Sequence, residues 1–354
     1  LKTEIIELYP QFPDPRKIAY CANVLRKGGL VVFPTETVYG VGANLANDAA
    51  MKRLREVKKR APDKPFSILI SQVGLISNYT SSTDPALYKL IDAYWPGPLT
   101  VVVPGKQEGQ TIGVRIPDHP IALRLVQDAQ CTIAAPSANF EGNPAPTTCQ
   151  EALRDLDGLV DVAIDGGGAK LGIGSSVVDL AHGSPKVLRD GVIKQEDIDR
   201  VVKKKVILFV CTGNSCRSVM AECLLKSMLA GRQDVEVASA GTGVFLQTTA
   251  SSETISVLKE EGIDATHHLS RSINTILLKK SDLIIVMTRA HRQQVLERVP
   301  EVEKRIYLLR EFIDTPSGYQ IEVDVPDPIG QPHFAYKECF AIVKEAMHKI
   351  VGLV

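Results

Sequence analysis

The residues best suited to chemistry lie in the run Val206-Ile207-Leu208-Phe209-Val210-Cys211-Thr212-Gly213-Asn214-Ser215-Cys216-Arg217-Ser218. An apolar, β-branched stretch of strand length meets a short polar loop, and the loop enters a helical pattern from Ser218 to Leu229. Cys211 therefore sits at the tip of a strand, and the loop amides after it converge near a helix N-terminus. Such a nest binds an oxyanion and favours a thiolate over a thiol. Arg217, six residues on, can close the ring with two parallel hydrogen bonds to phosphate. The spacing predicts a nucleophilic thiolate in a phosphate-binding loop. A cysteine phosphatase also needs an acid for the leaving group. Asp324-Val325-Pro326-Asp327-Pro328-Ile329-Gly330 must form a loop, with two prolines and a glycine, and either aspartate could swing over a phosphate from it.

A second constellation occupies the first half of the chain. Pro34-Thr35-Glu36-Thr37 follows a buried apolar run, and Lys58, Arg60 and Lys64 concentrate cations at a helix end. Pro136-Ser137-Ala138-Asn139 follows another apolar run, and Ser175-Ser176 opens the strand pattern of Val177-Val178-Asp179. Hydroxyls and cations at strand ends suit a polyphosphate and a small amino acid. Taken singly, each has a bland alternative as an N-cap, a solvated basic face or a turn. A G-x-x-x-x-G-K-[ST] element is absent, which excludes a P-loop nucleotide site. On the residues alone, the expectation is a small anionic ligand.

Elements that could position these groups follow from the hydrophobic periodicity. In the first half, strands are predicted at Leu30–Phe33, Phe66–Ile70, Leu99–Val103, Thr132–Ala135 and Ser175–Leu180. Helices at Arg16–Lys27, Ala49–Arg60, Pro85–Tyr94 and Ile121–Gln127 alternate with them. A polar segment, Ile193 to Lys205, ends in three lysines and separates the two patterns. After it come strands at Val206–Val210, Val235–Ser239, Leu283–Met287 and Arg305–Leu309. Helices at Ser218–Leu229, Ser252–Glu261, Ala290–Glu297 and Phe334–Val351 complete the series. The fold class is α/β throughout. Two domains are expected, residues 1–200 and 205–354, the second a parallel-sheet domain of common size with Cys211 at the carboxyl end of its sheet.

Composition narrows the setting. The 354 residues are 44% hydrophobic, which leaves room for two cores. With 41 basic and 41 acidic side chains the formal net charge is zero, so a bulk electrostatic case for gripping nucleic acid is absent. No apolar run approaches the ~20 residues that span a membrane. Seven cysteines without framework spacing fit a reducing cytoplasm, and the lack of any C-x-x-C pair argues against a thiolate zinc site. The start at Leu1 lacks a signal-peptide core and suggests a trimmed terminus.

The second half resembles the low-molecular-weight protein phosphatases. The resemblance rests on Cys211-x5-Arg217-Ser218, on Ser239-Ala240-Gly241 and on the late Asp327-Pro328, and it covers Val206 to Val354. It implies that Cys211 is the nucleophile of a phosphocysteine intermediate, Arg217 binds the phosphoryl oxygens and Asp327 is the general acid. It also implies support of the loop by Thr212, Gly213, Asn214, Ser215, Cys216 and Ser218, a hydrogen bond from Ser218 to the thiolate, and no metal or cofactor. In this family the thiol at Cys216 can pair with the nucleophile on oxidation. Arsenate reductases of the same fold carry further cysteines where this chain has Met287-Thr288-Arg289-Ala290-His291. Ser215 stands where tyrosine-specific members have an apolar residue and arginine phosphatases have threonine, so phosphotyrosine and phosphoarginine proteins are both open as substrates. Phe245 is a candidate wall of the substrate pocket.

The first half, Thr3 to about Gln195, resembles the YrdC-type threonylcarbamoyl-AMP synthases. The motifs are Pro34-Thr35-Glu36-Thr37-Val38-Tyr39-Gly40, Lys58-x-Arg60, Trp95-Pro96-Gly97-Pro98-Leu99-Thr100 and Val114-Arg115-Ile116-Pro117-x-His119-Pro120. They continue with Ala134-Ala135-Pro136-Ser137-Ala138-Asn139, Ser175-Ser176-Val177-Val178-Asp179 and Leu188-Arg189. The implied fold is a twisted α/β sheet. The implied reaction joins L-threonine, bicarbonate and ATP, with Mg2+, into threonylcarbamoyl-AMP and pyrophosphate. A separate transferase would then modify adenosine 37 of tRNA. By the same resemblance Thr35, Arg115 and Ser175 contact threonine, and Lys58, Arg60, Lys64, Thr111, Ser137, Asn139 and Arg189 line the ATP side. Ala145 and Gly174 depart from the family pattern, which commonly has Ser and Glu there. One half serving only as a binding module for tRNA or protein is the alternative of a different class.

Overall fold

In the computed structural model, residues 2–60, 64–314 and 322–354 are described. Contacts divide the chain into two units, Leu1–Ser82 with Lys89–Asp199, and Thr83–Tyr88 with Arg200–Val354. In chain order the first elements are β1 (Glu4–Glu7), α1 (Pro15–Arg26), β2 (Val31–Phe33), β3 (Gly40–Asn44), α2 (Asp48–Lys58), β4 (Ile68–Leu69) and α3 (Pro85–Tyr94). They continue with β5 (Leu99–Pro104), β6 (Thr111–Arg115), α4 (Pro120–Ala129), β7 (Ile133–Ala134), α5 (Cys149–Leu156), β8 (Val162–Asp165), β9 (Ser176–Asp179), β10 (Lys186–Arg189) and α6 (Gln195–Lys203).

The strands of the first unit form one mixed sheet in the order β1-β8-β2-β3-β7-β4-β6-β5-β9-β10. One apolar core joins α1 and α4, through Ile18, Leu25, Ile121 and Leu125, to Val31, Phe33 and Ile164. Another joins α2 and α5, through Leu54 and Leu156, to Val32, Val41 and Ala163. Alternate residues of β2 thus enter different cores, as the period of a strand requires. The turns after β2 and β7 meet: Val41 N–H donates to Pro136 O at 2.9 Å and Ala138 N–H to Tyr39 O at 2.8 Å.

The second unit contains β11 (Lys205–Cys211), α7 (Arg217–Met228), β12 (Val235–Gly241), α8 (Ser252–Glu260), α9 (Thr275–Lys280), β13 (Leu283–Val286), α10 (Arg289–Arg298), β14 (Ile306–Leu308) and α11 (His333–Val351). Its sheet is wholly parallel, in the order β12-β11-β13-β14. Ile207, Phe209 and Cys211 pack toward Leu225, Tyr336 and Phe340. Leu208 and Val210 pack toward Leu278 and Val295. A central strand buried on both faces reads as a continuous apolar run, which is why β11 was legible.

Some elements were not foreseen. Within the polar segment from Ile193 to Lys205, Gln195–Lys203 is a helix with Ile198 buried. Ser176 fastens its start, donating to Ile193 O at 2.7 Å. Strands β1, β3, β6, β8 and β10 were not expected. They are short, and three of them pair antiparallel, so an alternating parallel pattern does not reveal them.

Candidate functional sites

In the second unit the loop between β11 and α7 is built around Asn214. This residue has φ +51°, a left-handed conformation that asparagine tolerates. Its side chain donates to Ser218 Oγ at 3.0 Å and Ser239 Oγ at 2.7 Å, and accepts from Arg271 N–H at 2.9 Å. Its amide points at Cys211 Sγ, 3.3 Å away, and Ser218 Oγ lies 3.0 Å from the same sulfur. Two hydrogen-bonding groups thus converge on the thiol from inside the loop. Gly241 is needed because a Cβ there would come within 2.4 Å of Thr212 O and 3.0 Å of Asn214 N. Ser215 O accepts Ser251 N–H at 3.0 Å. Cys216 is buried, with Ser251 Oγ at 3.4 Å and Tyr336 OH at 3.9 Å.

Arg217 opens α7 and is buried. It donates to Val325 O at 3.1 Å and pairs with Asp327 Oδ2 at 2.5 Å. The two aspartates therefore separate by geometry. Asp324 accepts the Arg289 amide at 2.7 Å at the start of α10, whereas Asp327 lies on the Arg217 guanidinium. Phe245 is 96% exposed, so it is no core residue, and Leu246 beside it is 80% exposed. His291 was not expected in the site. Its Nε2 is 2.8 Å from Thr212 Oγ1, a contact between distant stretches that spacing cannot reveal.

In the first unit a cavity of about 300 Å3 is lined by Thr35, Arg60, Arg115, Ser137, Ser175 and Arg189, with Thr37 and Thr100. Thr35 Oγ1 donates to Val38 O at 2.6 Å and accepts the Thr37 and Val38 amides, which fixes the turn after β2. Arg115 is held through Nη2 by Glu36 Oε1 at 2.7 Å and Thr37 Oγ1 at 2.9 Å, and through Nε by Gly97 O at 3.0 Å. The other Glu36 oxygen is buried without a partner among the described residues. Ser175 Oγ is 2.9 Å from Thr100 Oγ1 and accepts from Arg189 at 3.0 Å.

Not every expected residue reaches the cavity. Lys58 is buried, and its ammonium donates to Ser137 O at 2.6 Å, to Asn139 O and to Asn139 Oδ1 at 3.3 Å. Burial, followed by the nearby Arg60, pushes its pKa down to about 8. Lys58 and Asn139 thus tie down the loop carrying Ser137. Lys64 is an exposed partner of Glu141 at 2.7 Å, and Thr111 pairs with Pro104 at the start of β6. Residues 61–63, between Arg60 and Lys64 in the expected basic segment, lie outside the described residues. Among the described lining residues Asp190 is the single carboxylate, and no group of three or more metal-ligating side chains occurs among the described residues.

The two sites define an α/β protein that carries a cation-lined cavity in one unit and a loop centred on the buried Cys211 thiol in the other. The Sua5/YciO/YrdC family model, described as "Telomere recombination", matches residues 23–191, and the model for low molecular weight phosphotyrosine protein phosphatase matches residues 206–353. Threonylcarbamoyl-AMP synthase of Bacillus subtilis is 38% identical over 198 residues, 53% of this chain and 57% of the relative. A "Putative threonylcarbamoyl-AMP synthase" of Mycobacterium tuberculosis is 34% identical over 196 residues, 53% of this chain and 89% of the relative. A structure of Pyrococcus abyssi Sua5 superposes with a TM-score of 0.54 at 27% identity, covering 86% of this chain and 99% of that one. The chain belongs to the threonylcarbamoyl-AMP synthase family through its first region and carries a low-molecular-weight phosphatase domain in its second. It spans 57% of the length of the Bacillus subtilis relative.

Proposed function

We propose that the first region condenses L-threonine, bicarbonate and ATP into threonylcarbamoyl-AMP, releasing pyrophosphate and water. The observation that carries this reading is the gathering of Thr35, Arg115, Ser175, Arg60, Ser137 and Arg189 around one cavity. Arg115, Thr35 and Ser175 receive the zwitterionic amino acid. Arg60 and Arg189 offset the polyphosphate charge, so that the carbamate oxygen can approach the α-phosphorus in line. Lys58 and Asn139 act from behind by holding Ser137. Thr111 and Lys64, which are not among the lining residues, are assigned to the ATP side by the resemblance alone. One lining carboxylate is a poor protein cage for Mg2+, which fits an ion that enters on the nucleotide's own phosphates. The acyl adenylate would pass to a transferase acting on adenosine 37 of tRNA in the cytoplasm. Among the described residues no helix is long and apolar enough to cross a membrane. The test is threonine-dependent pyrophosphate release with bicarbonate, ATP and Mg2+; its absence in folded protein refutes the assignment.

For the second region the reading is hydrolysis of a phosphorylated protein through a phosphocysteine, supported by the Cys211, Arg217 and Asp327 geometry. Cys211 attacks phosphorus, Asp327 gives its proton to the leaving group, and water then cleaves the phosphocysteine. Thr212, Gly213, Asn214, Ser215 and Cys216 form the cradle, and Ser218 steadies the sulfur. The reaction as written uses no metal or cofactor. Phosphotyrosine and phosphoarginine peptides compared side by side identify the substrate. Hydrolysis of an aryl phosphate that survives Cys211→Ser places the nucleophile elsewhere.

A further inference from the structure

Thr212, the residue after the nucleophile, is held from outside the phosphate loop. Strand β13 lies beside β11 in parallel register, with Val286 against Val210, so the turn after β13 stands next to the start of the loop. In that turn Thr288 caps α10 by accepting the His291 amide at 3.3 Å. The imidazole then bridges two hydroxyls. Its Nδ1 is 2.9 Å from Thr288 Oγ1, and its Nε2 is 2.8 Å from Thr212 Oγ1.

A neutral imidazole has one donor nitrogen and one acceptor nitrogen, and each hydroxyl can act either way. The bridge is therefore satisfied without net charge, although His291 is only 4% exposed. Burial and then the Arg217 guanidinium hold its pKa down to about 4, against the opposing pull of Asp327 and Asp324. The main chain around Thr212 is fixed as well: Cys211 O accepts Thr242 N–H at 2.9 Å and Thr212 O accepts Gly243 N–H at 3.0 Å. The imidazole supplies the remaining anchor, at the side-chain end.

We propose that His291 is a positioning residue of the phosphatase reaction, fixing through Thr212 the direction of the loop amides nearest Cys211. Its two ring nitrogens face the Thr212 and Thr288 hydroxyls, so it acts through Thr212. The proposal rests on the phosphatase reading above. Small displacements of a catalytic loop cost large factors in rate, which makes such an anchor measurable.

The experiment uses the full chain as parent, Thr212→Val, His291→Gln and the double variant. Aryl phosphate hydrolysis, affinity for inorganic phosphate and thermal unfolding are measured on all four. Each single change is expected to lower kcat about ten-fold or more with the melting temperature unchanged. The double variant should be no worse than the worse single, since both changes cut the same bridge. Losses that multiply in the double variant, or single variants within about two-fold of the parent, overturn the proposal. If His291→Gln does not fold, Thr212→Val decides alone, because full activity without that hydroxyl overturns it. Parent activity lost in Cys211→Ser supports the phosphatase reading separately. A parent that neither hydrolyses nor binds phosphate removes both; an active parent with silent variants removes only the proposal.

Discussion

Asp327 lies on Arg217 at 2.5 Å, with the guanidinium side chain 5% exposed and the carboxylate 43% exposed. The group expected to protonate a leaving group thus occupies the group expected to hold phosphate. On the reading proposed above, an arriving phosphoryl group would compete with Asp327 for the guanidinium and, by displacing it, would free the acid to turn toward the leaving oxygen.

From this pair follows the behaviour of Asp327→Asn. Loss of a general acid should lower kcat by about 10²–10⁴-fold. Inorganic phosphate should bind at least as well as to the parent, because the ion pair no longer competes. Steady-state kinetics with phosphate as inhibitor checks both halves. A large loss of phosphate affinity would mean that Asp327 supports the cradle instead.

Gly241→Ala should damage the phosphate loop from behind. Its Cβ would meet Thr212 O at 2.4 Å and Val244 Cγ2 at 2.6 Å, so the loop backbone must shift. A fall in kcat of about 10²-fold is expected from such a displacement. Circular dichroism and melting would show the fold retained.

In the first region two changes should be distinguishable. Ser175→Ala removes the hydroxyl that meets Thr100 Oγ1 and accepts from Arg189, which keeps its bonds to the Ser175 carbonyl, and should raise the KM for threonine about ten-fold, the scale of one hydrogen bond to a charged group. Arg115→Ala goes further, because it leaves Glu36 buried and unpaired. A destabilisation of about 3–5 kcal/mol is expected, read by chemical unfolding.

Lys58→Met should leave buried acceptors on the Ser137–Asn139 loop unsatisfied, at about 1–3 kcal/mol, and weaken ATP use indirectly. Its pH dependence has a definite sign. The folded pKa of about 8 lies below the ordinary lysine value, so between the two the unfolded chain binds a proton that the native chain lacks. Stability from this site therefore rises as pH increases through that window, and Lys58→Met should flatten the rise. Unfolding free energies measured across about pH 8 to 10.5 decide it.

The sequence by itself determined the α/β class, the strand that carries Cys211, and the polar groups following β2, β7 and β11. Each is encoded locally, by a buried apolar run that meets a turn, and turns at strand ends are where side chains converge. Tertiary structure alone decided which groups converge. It separated Asp327 from Asp324, since both belong to one loop and only folding places one of them on Arg217. It also turned Lys58 toward carbonyls behind the cavity, and it brought His291 to Thr212 across 79 residues. These are contacts between stretches remote in sequence, set by sheet register, and register comes from the packing of whole elements rather than from any short motif.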